Sequence, residues 1–160
     1  MKKSHEQWKF DSSLGPLYLV ASKKGLQGIF WKKQKAPFLR SLDHSKILDL
    51  ATKELTEYFA GKKIKFTIPL DFQGTEFQKK VWNQLRKIPY GKTCSYKDIA
   101  QKINNKKAFR AVGTANGKNP LCIIIPCHRV IASDGGLGGY NGGLHLKIKL
   151  LNLETKISYC

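Results

Sequence analysis

Cys127 and His128 are neighbours in the run IIIPCHRVI at residues 123–131. A thiol and an imidazole, placed where Pro126 bends an apolar stretch, can serve a metal, a phosphatase, a protease, or nothing. As metal ligands they would need company, and Cys122 and His145 could join them. Adjacent residues seldom ligate one ion, however, and these spacings match no common zinc pattern. A cysteine phosphatase closes its loop with an arginine, where this chain has Ser133. A Cys–His protease brings its histidine from elsewhere, and His5, His44 and His145 carry no signature of that role. Burial as a small inert hydrophobe is the other common fate of a free cysteine. Nearby, Asn119 before Pro120 reads as a turn marker, and Glu154 as a solvated carboxylate at a helix end. Taken alone, the residue types leave these readings open.

The elements that must carry these side chains divide the chain in two. Residues 6–31 read as strands, with LYLVAS and LQGIFW split by the turn KKG and another turn at SSLGP. In DHSKILDLATKELTEYFAG, Ile47, Ala51, Leu55, Tyr58 and Phe59 fall on one helical stripe, and Gly61 marks its stop. IKFTIPL predicts a short strand, and DFQG breaks the pattern near residues 70–74. The fold class is therefore α+β: an N-terminal α/β lobe over 1–72, with a small β-sheet and a helix, and a mostly helical C-terminal domain over 73–160. In the second part Thr75 caps a helix that buries Val81, Trp82 and Leu85. Ser95-Tyr96-Lys97-Asp98 has capping-box form, and after NNKK a third helix should run from Ala108 to Asn116 and stop at Gly117. Two short helices joined by a tight turn in a basic protein predict a helix-turn-helix. LCIII predicts a strand ahead of Pro126, and a last helix should turn Leu144, Ile148 and Leu151 to the core.

Net charge is +18, from 29 Lys and Arg against 11 Asp and Glu, in only 160 residues. Such a surface concentrates polyanions, and nucleic acid is the first partner it suggests. No basic amphipathic helix stands apart from the fold to favour an anionic membrane instead. No run approaches the roughly 18 apolar residues of a membrane span, and MKKSHEQWKF has no apolar region to make a secretory signal. The four cysteines (94, 122, 127 and 160) form no Cys-x-x-Cys pair, and with no export signal reduced thiols in a reducing compartment are expected.

IPCHRV resembles the active-site motif of the O6-alkylguanine-DNA alkyltransferases, also called methylated-DNA–protein-cysteine methyltransferases. SYKDIA (95–100), FRAVGTANGKNP (109–120), GLGGYNGG (136–143) and KIKLLNLE (147–154) are similar to the family's other signature segments, in the same order and spacing. Together they cover nearly all of residues 75–155. The resemblance implies a ribonuclease H-like N-terminal lobe and a winged helix-turn-helix-like DNA-binding motif in the C-terminal one. It makes Cys127 the nucleophile that takes the alkyl group from guanine O6. An ordinary thiol of pKa about 8.5 is only a few per cent ionised at neutral pH, so a base or cationic surroundings must raise its thiolate fraction. The resemblance supplies His128 as acceptor of the thiol proton through a water, with Glu154 orienting it. Asn119 would brace the active-site turn, and Tyr96 would donate to guanine N3. The carbonyls of Cys127 and Val130 would accept from the base's amino group, and the Asn141 N–H would donate to O6. Tyr140 and Gly142 complete the glycine-rich wall. The same glycines are no dinucleotide cradle, because Glu154 ends a helix with almost no chain left for a second strand.

A stacked base cannot present O6 to a pocket, so the nucleotide must be flipped out. Arg110 resembles the finger that fills the vacated stack, although an exposed helical arginine is by itself a plain phosphate contact. Ala111, Gly113 and Thr114 would let that helix approach the minor groove, where little base code is read. Lys118 and Arg129, with Lys92, Lys97, Lys106 and Lys107, are the expected DNA contacts. The reading implies irreversible, stoichiometric repair of double-stranded DNA bearing O6-alkylguanine, by a monomer with no cofactor and no metal. The compartment would be the cytoplasm, on the nucleoid, or the nucleus of a eukaryotic cell. The alternatives are a non-catalytic helix-turn-helix binder and a lesion sensor; sensors of this kind lack the reactive cysteine. Thr155 follows Glu154 where the family often has glycine, which leaves the final cap open.

Overall fold

The computed structural model describes residues 6–35, 45–62 and 65–155. His5, His44, Cys160, the helix start expected at Asp43 and Ile64 of IKFTIPL lie outside them. The chain separates into two compact units, residues 1–73 and 74–160.

In the first unit, strands β1 (Glu6–Ser12), β2 (Gly15–Ala21) and β3 (Leu26–Phe30) form an antiparallel meander in that order. Alternation sets its faces: Leu17, Leu19 and Ala21 of β2 are fully buried. Helix α1 (Ser45–Phe59) packs on the sheet through Leu48, Ala51, Leu55 and Tyr58. The stripe centres on Leu48 rather than the expected Ile47, and Gly61 follows the helix with φ +80°, a conformation glycine adopts without cost. IKFTIPL differs from expectation. Its only pairing among the described residues is a parallel bridge of Leu70 to Leu26. Pro69 has no N–H to give a ladder; its carbonyl accepts from Leu26 N at 2.8 Å, and Asp71 N donates to Leu26 O at 2.8 Å. Gly25 permits that approach, since a Cβ there would lie 2.6 Å from the Pro69 carbonyl oxygen.

The second unit is helical. Helix α2 (Glu76–Leu85) opens on a Thr75–Gln78 capping box and buries Val81, Trp82 and Leu85, as its periodicity predicts. The two-residue strand β4 (Cys94–Ser95) runs into α3 (Tyr96–Lys102), which opens on the Ser95–Asp98 capping box. A left-handed Asn104 (φ +58°) and a 3-10 turn at Lys106–Ala108 lead to α4 (Phe109–Gly117). Helices α3 and α4 pack together as the helix-turn-helix, and the Trp82 indole N–H donates to Ala115 O at 2.9 Å, tying α2 to α4. A second 3-10 turn, Cys127–Arg129, enters strand β5 (Val130–Ile131), which pairs in parallel with β4. The chain closes with α5 (Leu144–Thr155).

Two expectations in this unit are corrected. LCIII is a succession of tight turns, not a strand: Ile124 N donates to Cys122 O and Ile125 N to Leu121 O, both at 2.9 Å, with Ile123 at φ +76°. All five residues are buried, so the β-rich composition records burial rather than ladder pairing. On α5 the inward face carries Leu146, Lys147, Leu150, Leu151 and Glu154, whereas Leu144 is 47 % exposed. The helix is rotated to bring two charged side chains inside, which a purely apolar stripe cannot anticipate.

Candidate active site

Pro126, at φ −80° and ψ 66°, forms an inverse γ-turn in which Cys127 N donates to Ile125 O at 2.7 Å. Asn119 braces this bend from inside: its Nδ2 donates to Ile125 O at 2.7 Å, and its Oδ1 accepts from Leu121 N at 2.9 Å. The two bonds replace the ladder that a strand would have supplied. Ile123, a β-branched residue at positive φ, is strained backbone next to the site. Cys127 ends up only 4 % exposed, at the wall of a cavity of about 270 Å³. That is just below the usual range of small-molecule pockets, about 300–1,000 Å³.

Behind the thiol lies a buried ionic cluster. His128 Nε2 and Glu154 Oε1 are 2.7 Å apart, leaving His128 Nδ1 without a protein partner among the described residues. Arg129 grips the same carboxylate, with Nε donating to Oε2 at 2.8 Å and Nη2 to Oε1 at 2.7 Å, while Nη1 donates to Ile88 O at 2.8 Å. This corrects the sequence-based assignment of Arg129 to DNA. The side chain is turned inward and lies over the Tyr90 ring at 5.7 Å. A pattern of basic residues does not distinguish a phosphate contact from an internal counter-ion.

Burial and neighbouring charges set the protonation states from which this pair starts. Burial pushes the Cys127 thiol above its ordinary value, opposed by a hydrogen bond from Asn119 and by the charge of Lys147. Burial also lowers His128, and Arg129 and Lys147 lower it further against the pull of Glu154. The resting pair is a thiol and a neutral imidazole. His128 is poised to accept a proton, not to acidify its neighbour as a resident cation.

The cavity wall collects residues from four segments: Tyr96 from the start of α3, Gly113, Asn116 and Gly117 from α4, Cys127, and Gly139, Tyr140 and Asn141 from the glycine-rich loop. The β4–β5 pairing, which sets Cys94 opposite Val130, holds Tyr96 next to the nucleophile's turn. Gly138, at φ +68°, clears room for it, because a Cβ there would sit 2.7 Å from the Tyr96 hydroxyl. The Tyr140 side chain hydrogen-bonds the buried Cys122 thiol. Gly142 does not line the cavity. Val130 does not line it either, and its carbonyl accepts from Lys147 Nζ at 2.6 Å. Outside, Arg110, Ala111, Thr114, Gly117 and Lys118 form one exposed face of α4, with Lys97 and Arg110 both within 6 Å of the Phe109 ring. Among the described residues, no three His, Cys, Asp or Glu side chains gather as a metal site. No described helix is long and apolar enough to cross a membrane.

Two family models match this chain: the 6-O-methylguanine DNA methyltransferase ribonuclease-like domain over residues 8–72, and the DNA binding domain of the same name over residues 76–156. The chain belongs to the 6-O-methylguanine DNA methyltransferase family. The methylated-DNA–protein-cysteine methyltransferase of Methanosarcina acetivorans is 45 % identical over 148 residues, 91 % of this chain and 95 % of that one. The inducible methylated-DNA–protein-cysteine methyltransferase of Bacillus subtilis is 43 % identical over 157 residues, 96 % and 88 % of the two chains. The crystal structure of Mycobacterium tuberculosis OGT in complex with DNA superposes with a TM-score of 0.83 at 41 % identity, covering 94 % of this chain and 92 % of that one.

Within this methyltransferase, reading the sequence missed two residues near the nucleophile. Asn116 is buried, its Nδ2 donating to Cys127 O at 3.4 Å. Lys147 is entirely buried. The one hint is helical spacing, since it shares a face with Leu150, Leu151 and Glu154, but lysine is so seldom fully buried that the pattern reads as a surface cation.

Proposed function

We propose that the protein repairs duplex DNA by direct reversal, acting as a monomer that transfers a methyl or larger alkyl group from O6-alkylguanine to Cys127. The observation that carries this reading is the placing of a thiol, backed by the His128–Glu154 pair, on the wall of a cavity small enough for one base. The flipped nucleotide enters between Tyr96 and the Tyr140–Asn141 loop. Cys127 Sγ attacks the alkyl carbon in line, the carbon–O6 bond breaks, and its electron pair leaves with guanine. The thiol proton passes to His128 Nδ1 through a water, and the Glu154 carboxylate stabilises the imidazolium that forms. The Tyr96 hydroxyl and the Asn141 N–H neutralise charge developing on the leaving base. Water displaces a thiolate from the S-alkyl carbon of the resulting thioether only very slowly, so each molecule acts once. Its place of action is the DNA of the cell, on the nucleoid in the cytoplasm or in the nucleus.

Incubation with duplex oligonucleotide carrying O6-methylguanine should add one methyl mass per protein, mapped by peptide to Cys127. Cys127→Ser should abolish the adduct and keep DNA affinity. A wild-type protein that gains no mass at Cys127, or that turns over repeatedly, contradicts the reading.

The pH dependence follows from the base. The neutral imidazole is the active form, and burial keeps it neutral to a lower pH than a free histidine. The single-turnover rate should therefore hold level as pH falls to about 6.5, the ordinary histidine value, and decline only below it. Stopped-flow or quenched assays that show the decline beginning above that point would remove His128 from the role of base.

A further inference from the structure

Lys147 opens the segment KIKLLNLE without an assigned role there; it is 0 % exposed, and its charge acts on the Cys127 thiol. Its Nζ donates to Val130 O at 2.6 Å and to Gly139 O at 3.0 Å. Val130 follows the Cys127–Arg129 turn directly, and Gly139 belongs to the loop that walls the cavity. One ammonium thus joins the nucleophile's segment to the wall facing the base. A buried cation ordinarily recruits a carboxylate, but among the described residues Lys147 has none: Glu154, on the same helix face, is taken by His128 and Arg129. Facing Lys147 are Cys127 and His128, with Arg129 and Glu154 behind His128 and Tyr96 on the cavity wall with Cys127.

Building on the proposed reaction, we infer that Lys147 is a positioning residue whose buried ammonium is the counter-charge for the Cys127 thiolate as alkyl transfer begins. Two carbonyls hold the charge without cancelling it, so it stays available to a neighbouring anion. Burial lowers its pKa to about 8, opposed only by Cys127, so the cation is held at some cost. Such an unneutralised buried charge at a cavity wall marks a functional site more than a structural one. His128 does not fill the role, because the imidazolium it becomes on accepting the thiol proton is already paired with Glu154, whereas Lys147 has no carboxylate partner among the described residues.

The test separates charge from bracing and needs no DNA. Full-length protein is alkylated with iodoacetamide across the thiol titration range, and each cysteine is followed by peptide mass; the Cys127 sulfur displaces iodide and its proton goes to solvent. In Lys147→Met the titration midpoint at Cys127 should rise by about one unit, making alkylation about tenfold slower at neutral pH. Cys94, half-exposed on β4 opposite Val130, should be unchanged, and methyl transfer from the lesion duplex should fall in step with Cys127. A folded Lys147→Met protein with an unmoved Cys127 midpoint and lost methyl transfer would show that the lysine only braces the wall, which overturns the inference. If the methionine variant does not fold, Lys147→Gln decides, because it keeps a hydrogen bond to a carbonyl and loses the charge: a raised midpoint upholds the inference, an unmoved one overturns it. Failure of the wild-type protein to take a methyl group from the duplex would instead refute the proposed function and leave the thiol titration readable.

Discussion

Replacing Glu154 with alanine should destabilise the protein by about 3–5 kcal/mol, the usual result of removing one partner from a buried ion pair. The loss is large because one carboxylate satisfies two buried side chains and also accepts from Gly91 N at 3.5 Å. Arg129, 8 % exposed, would keep only its bond to Ile88 O, and His128 Nε2 would face no acceptor. Urea denaturation of Glu154→Ala against wild type reads the change as a shift in midpoint at constant slope. A shift worth less than about 1 kcal/mol, the surface-pair range, would mean that the cluster is not the internal brace described above. Acid sensitivity gives a second readout. Burial pushes the Glu154 carboxyl up, but the hydrogen bonds and charges of His128 and Arg129 outweigh it and bring its pKa to about 2, against an ordinary 4.5. A depressed carboxylate contributes stability above its unfolded value and loses it as pH falls towards the folded one. Wild type should therefore weaken between pH 4.5 and about 2. The depressed His128 adds an earlier loss, since only the unfolded chain takes up its proton as pH falls through 6.5. Glu154→Ala should lack the more acidic of these two phases.

Arg110→Ala should slow methyl transfer from duplex DNA by about 100-fold while leaving a single-stranded oligonucleotide of the same lesion almost unaffected. Extruding a stacked base costs a few kcal/mol, and each 1.4 kcal/mol lost in the transition state is about tenfold in rate. Arg110 stands at the first turn of α4, on the exposed face with Ala111 and Thr114, and the expected loss rests on the proposal that it fills the space the flipped base vacates. Single-turnover rates on the two substrates separate this from a phosphate contact. A phosphate contact would lower binding alike for every duplex and reduce the salt slope by about one. Equal losses on single and double strands, with that reduced slope, would assign Arg110 to the backbone.

Much of this site was legible because its residues are adjacent or carried by strong local signals. Cys127, His128 and Asn119 lie within one short stretch, and the capping boxes at Thr75 and Ser95 fix the starts of α2 and α3 whatever surrounds them. The misses share another cause. LCIII is apolar and β-branched, so it looks like a strand, yet its backbone is satisfied by turns and by one asparagine side chain. Arg129 and Lys147 look like surface cations, and their inward turn depends on partners distant in sequence: Glu154 and Ile88 for one, Val130 and Gly139 for the other. Local patterns report which side chains prefer water. They do not report which polar groups the folded chain will bring to meet them.

The covered thiol has a bearing on cellular life. Peroxides and soluble electrophiles consume thiolates that they can reach. Burial raises the pKa of the Cys127 thiol and leaves 4 % of the residue exposed on the cavity wall, so at neutral pH such reagents meet little thiolate and react slowly. For a molecule that can react only once, reticence is the means by which its single shot is saved for a lesion.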